Sequence, residues 1–172
     1  MRTRITLFVA VLAMFIITPQ ALKAQDFSTS VGARLGSPLS ASIKHFISDV
    51  DAIEAFVGYR GNRRYNWISI NGAYQRHRSF GLSDEFAPLN WYYGAGAGVY
   101  FYSYDFGPLF MDDDYATAAI GLSGYLGLQY PFQSIPLEVT VDWVPTLFLG
   151  SGFNRGFGGG YGALAVRYIL GR

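Results

Sequence analysis

Odd and even positions separate cleanly along Asn90–Tyr102. The odd positions Trp91, Tyr93, Ala95, Ala97, Val99 and Phe101 are apolar throughout, with aromatic residues at both ends. The even positions Tyr92, Gly94, Gly96, Gly98, Tyr100 and Tyr102 place glycine in the middle and tyrosine at the rims. Successive side chains leave opposite faces of an extended strand, so this period of two predicts one long β-strand. Three glycines and several aromatics oppose a helix. The length, the apolar middle and the aromatic ends suit a barrel strand that crosses a bilayer.

The same alternation predicts seven further strands: Phe27–Gly36, Leu39–Ile47, Ala52–Arg60, Trp67–His77, Ala116–Tyr130, Leu137–Leu149 and Tyr161–Leu170. The second is the least regular, because His45, Phe46 and Ile47 blur its pattern. Ser37-Pro38 is a turn signal. Pro145 removes an amide from the ladder, so a bulge or strand end is expected there. Residues Gly150–Gly160 read as a glycine-rich loop. Eight such segments predict an all-β fold, an eight-stranded antiparallel up-and-down transmembrane β-barrel. In that topology the connections after the odd strands face outward. The connection Arg78–Leu89 then falls on the periplasmic side, where short turns are usual.

Large apolar residues collect on one face of nearly every strand. The opposite face carries Gly, Ala, Ser, Thr and Tyr, together with Arg34, Glu54, Arg60, Glu138, Asp142 and Arg167. A soluble barrel would turn its apolar face inward. Here the small and ionisable face is predicted to fill the interior, which in eight strands is only wide enough for side chains. The apolar face, including Val141 and Trp143, is predicted to meet lipid. Buried charges are costly unless paired and hydrogen-bonded, so the six ionisable residues are expected to form a structural lumen network. An ion path is the alternative.

Residues 1–24 carry the marks of a cleaved secretory signal peptide, which leaves 25–172 as the barrel domain. Arg2 and Arg4 make a basic start, Ile5–Ile17 is an apolar run, Pro19 ends it and Ala24 offers a small residue before Gln25. The run is too short for a membrane-spanning helix, which needs about 20 residues. Without Arg2, Arg4 and Lys23, the 13 basic residues fall to ten against 12 acidic ones. No polybasic tail is present, so nucleic acid is not an expected partner. The absence of cysteine rules out disulfides, thiolate metal sites, a cysteine nucleophile and a lipid-modified N-terminal cysteine.

The pattern resembles the small OmpA/OmpX-like outer-membrane barrels, and among them the uncharacterised outer-membrane β-barrel domains of Gram-negative bacteria. The stretches that carry the resemblance are Leu89 to Gly96, Ile135-Pro136-Leu137 through Asp142-Trp143-Val144-Pro145, and Val166-Arg167-Tyr168. It covers essentially all of residues 25–172 and contains no catalytic motif. It implies an integral outer-membrane protein that meets lipid and lipopolysaccharide and is inserted by the barrel insertion machinery. Such barrels commonly end on an aromatic residue. This chain ends Ile169-Leu170-Gly171-Arg172, with Tyr168 the nearest aromatic.

Candidate chemistry is sparse. His77 with Ser79 and Asp84-Glu85 is the only local cluster with the residue types of a nucleophile and base, and a strand end explains it better. Asp112-Asp113-Asp114 could attract calcium but lacks the alternating ligands of a calcium loop. Gly156–Gly162 lacks the Lys-Ser/Thr ending of a phosphate loop. No catalytic residue, cofactor or metal site is expected. Phe106, Phe110, Phe153 and Phe157 are loop aromatics that could contact a partner or cover the barrel mouth. The expected role is non-enzymatic, structural or in recognition through the outer loops. A narrow channel for small solutes or ions is the alternative, and a lipid-modifying enzyme a third class.

Overall fold

Side-chain alternation runs along most of the strands because each has one crowded face and one open face. The computed structural model describes residues 28–61, 65–82, 88–104, 115–149 and 156–170. Among them, β1 (Thr29–Gly36), β2 (Leu39–Phe46), β3 (Asp51–Gly61), β4 (Tyr65–Ser79), β5 (Asn90–Tyr104), β6 (Tyr115–Pro131), β7 (Leu137–Leu149) and β8 (Gly156–Ile169) follow in order. Each pairs antiparallel with the next, and β1 pairs with β8, so the sheet closes into a barrel. Closure leaves no continuous free edge to template aggregation.

The register fixes the shape. Cross-strand partners run from Leu137 to Tyr168, Val31, Ile43, Ala55, Gly72, Ala97, Leu122 and finally Leu147. One circuit therefore returns to β7 ten residues further on, 147 less 137. With a rise of about 3.3 Å per residue and strands about 4.8 Å apart, that stagger tilts the strands by about 40°.

The side chains are distributed inside out. Ile43, Ile53, Val57, Ile70, Leu122, Leu126, Val141 and Trp143 are exposed on the outer wall. Arg34, Lys44, Glu54, Gln75, Glu138 and Arg167 are buried within. The alternation of β2 continues through its blurred end: Ser40, Ser42, Lys44 and Phe46 point in, while Leu39, Ala41, Ile43 and His45 point out.

Most boundaries lie within two residues of the sequence pattern, and the start of β8 differs from it by five. β4 runs to Ser79 and β5 starts at Asn90, so residues 80–89 connect them at the end of the barrel where β1 starts and β8 ends. β8 starts at Gly156, not at Tyr161. Glycines erased its alternation, and they make room for two rings of β7. The Phe148 ring lies across Gly158 and the Trp143 indole across Gly160, where any Cβ would overlap them. The pairing slips between Pro145 and Leu147, at the proline that cannot donate. Residues Gly156–Gly162 are thus strand, which removes their likeness to a phosphate loop.

Gly127 plays the same part inside the barrel. A Cβ there would lie 2.6 Å from the Tyr92 ring and 2.8 Å from Asp142 Cβ. Both neighbours are held by other bonds, so neither can yield freely. Gly127→Ala is expected to cost about 1–3 kcal/mol through overpacking, read by urea unfolding of the refolded barrel. An alanine tolerated without loss would mean that Tyr92 is not fixed.

Candidate functional site

Among the described residues, ionisable groups converge in the barrel interior, and every strand sends a polar side chain into it. β1 contributes Ser30 and Arg34, β2 Ser42 and Lys44, and β3 Glu54. β4 contributes Gln75, β5 Tyr92 and β6 Gln129. β7 contributes Glu138, Thr140 and Asp142, and β8 Arg167. All are buried.

Glu54 is the hub. Its Oε1 accepts from Arg34 Nη1 at 2.9 Å and from Arg167 Nη2, and its Oε2 accepts from Gln75 Nε2 at 2.6 Å. Arg34 also reaches across to β7, where its Nη2 donates to Asp142 Oδ1 at 2.8 Å and Oδ2 at 3.0 Å. Tyr92 OH donates to the same Asp142 Oδ2 at 2.5 Å. Arg167 donates from Nε to Ser42 Oγ at 2.9 Å and from Nη1 to Thr140 Oγ1 at 3.2 Å and Glu138 Oε1 at 3.3 Å. Ser30 Oγ donates to Glu138 Oε1 at 2.6 Å, and Gln129 Nε2 donates to Glu138 Oε2. These bonds cross the lumen, tying β1 to β3 and β7, β3 to β8, and β5 to β7. Charge-assisted bonds of this kind are the strong ones. Here they also hold opposite walls at fixed separation.

Five of the six charged residues singled out from the sequence meet in this network: Arg34, Glu54, Glu138, Asp142 and Arg167. Arg60 does not. It lies one residue from the end of β3, is exposed, and donates to Ser37 Oγ at the barrel mouth. Inward parity alone did not make it interior, because the wall ends there.

The third interior cation is instead Lys44, which the sequence pattern does not single out. Its side chain is fully buried, with Nζ 4.7 Å from the centre of the Tyr92 ring and no hydrogen-bond partner among the described residues. The inward alternation Ser40, Ser42, Lys44 was the available signal. Arg34, Arg167 and Lys44 thus face Glu54, Glu138 and Asp142, three charges of each sign. Arg34 also lies 4.8 Å from the centre of the Phe56 ring.

Above and below this layer the interior is aromatic. His77 lies between Phe46 and Tyr92, with ring centres 4.9 and 4.8 Å away. It is buried, so it is no exposed base, and Asp84-Glu85 lie outside the described residues. Towards the opposite end, Trp67, Tyr100 and Phe148 pack together, with centres 5.5 and 4.9 Å from Tyr100. Phe106, Phe110, Phe153 and Asp112-Asp113-Asp114 lie outside the described residues; Phe157 is exposed. Among the described residues no cluster of His, Asp or Glu could hold a metal ion.

The arrangement has neighbours among solved structures. It shares its fold with the N-terminal β-barrel domain of Pseudomonas aeruginosa OprF. The two chains superpose with a TM-score of 0.53 at 16% sequence identity, over 81% of this chain and 93% of that one. No protein-family model matches the sequence, and no curated protein matches it. At that identity the likeness concerns the fold.

Proposed function

We propose that this chain is an integral, non-enzymatic β-barrel of the bacterial outer membrane. Residues 1–24 serve as its cleaved signal peptide and residues 25–172 form the barrel. Its ionic interior acts as a structural plug, and any recognition lies in the loops after β1, β3, β5 and β7. Lipid, lipopolysaccharide and the insertion machinery are its general partners. The observation that carries this reading is the inside-out arrangement. A belt of exposed Leu, Ile, Val, Phe and Trp surrounds a buried set of charges. In water such a belt would drive association. In hydrocarbon it is the stable arrangement, because a closed sheet pairs most of its backbone polar groups internally. The fold shared with the OprF barrel domain agrees with it.

Fractionation followed by gel mobility before and after boiling tests this. The folded protein is expected in the outer-membrane fraction and to change mobility on heating. Free protein in the periplasm would sink the proposal.

A narrow channel is disfavoured because Arg34, Glu54, Glu138 and Arg167 bridge the lumen and are closed to solvent. Purified protein in a planar bilayer is expected to pass no steady single-channel current. Sustained conductance would overturn the plug.

A further inference from the structure

The outer wall is not equally tall all round, and the register gives its height at every point. With strands tilted about 40°, each residue along a strand adds about 2.5 Å of height, and each step round the circuit from Leu137 adds about 3 Å. Taking Leu137 as zero, the topmost exposed apolar residues of two strands, Phe101 on β5 and Leu149 on β7, both stand about 30 Å up. On β1 and β2 the wall is lower: Leu35 at the top of β1 reaches only about 16 Å and Leu39 on β2 about 19 Å. Beyond them the hairpin turns at Ser37, where the exposed Arg60 guanidinium donates to Ser37 Oγ. A guanidinium does not sit among acyl chains when a polar surface is within reach. On β2, β6 and β8 the lower margin shows no matching step, since Ile47, Tyr130 and Tyr168 all fall within about 3 Å of the zero level.

The taller side matches the apolar belt of about 25 Å that such barrels present to a bilayer, and the β1–β2 side falls short of it. Resting on the membrane reading above, we propose that the β1–β2 face thins the outer leaflet. There it takes lipids with short or disordered acyl chains, and the bilayer surface drops about 10 Å from the level of Leu149 to that of Ser37.

The absence of cysteine makes single labels simple to place. Ser37→Cys, Leu149→Cys and Asp49→Cys, the last in the turn between β2 and β3, each carry a nitroxide in the full barrel reconstituted in phosphatidylcholine vesicles. Collision with oxygen marks acyl depth, and collision with a water-soluble nickel chelate marks water. Labels at 37 and 49 are expected to favour nickel, and the label at 149 oxygen. Nickel access at 149 would mean that the taller wall stands in water. Oxygen preference at 37 would mean a flat bilayer that submerges the hairpin. Loss of nickel access at 49 would mean that the barrel tilts instead. Each of those three results overturns thinning. Failure of the protein to float with the vesicles would instead sink the membrane reading.

Discussion

Glu54→Leu is expected to destabilise the barrel by about 3–5 kcal/mol, the range for removing one partner of a buried ion pair. Glu54 accepts from Arg34, Arg167 and Gln75, so its loss strips a bond from three strands at once. It also leaves three interior cations facing two carboxylates. Arg34 keeps Asp142, and Arg167 keeps Glu138, Thr140 and Ser42, which limits the damage. Lys44→Met is the informative companion, since Lys44 forms no hydrogen bond among the described residues. Alone it is expected to cost much less than the loss of Glu54. Combined with Glu54→Leu it should restore the charge balance and recover part of the lost stability. Such non-additivity is the signature of groups that share one network. Urea unfolding of the reconstituted protein, read by gel mobility, measures all three variants. A Glu54→Leu barrel within about 1 kcal/mol of the parent, well under the expected range, would mean that the interior charges are not coupled through this residue.

Arginine at Val141 or Trp143 is the second large effect. Both side chains are about half exposed on the outer wall of β7, at 53% and 52%. Each stands about 10–15 Å above the lower margin on the scale set by the register. That is mid-belt if the wall spans a bilayer, where an arginine costs about 2–4 kcal/mol. The same substitution at a water-facing position is close to neutral. Refolding yield and unfolding free energy in vesicles are therefore expected to fall for both variants. If both fold as well as the parent in a bilayer, the outer wall does not face lipid.

Much of this was legible in the chain because a strand writes its two faces into alternate positions. The bounds of β7 and the start of β5 coincide with the sequence pattern, since Leu137–Leu149 and Asn90–Tyr102 alternate strongly. The start of β8 was hidden for a definite reason. Glycine contributes no side chain to an alternation, and the rings of Phe148 and Trp143 that make use of Gly158 and Gly160 belong to the neighbouring strand. Among candidate site residues, inward parity selected Arg34, Glu54, Glu138, Asp142 and Arg167. It placed Arg60 with them although the wall ends beside that residue. It passed over Lys44, whose strand blurs just beyond it.

The sequence by itself determined the class of fold, the number of strands and which face of each strand is apolar. Those are local properties, carried by the period of two and by turn residues. Only the tertiary structure decided the stagger of ten residues round the barrel, and with it which inward charges stand at the same height. Pairing among Arg34, Glu54, Asp142, Glu138 and Arg167 depends on that height. Bonded partners in this set lie up to 113 positions apart, between Glu54 and Arg167, and no local pattern couples them. Closure of the barrel alone brings them within hydrogen-bonding distance.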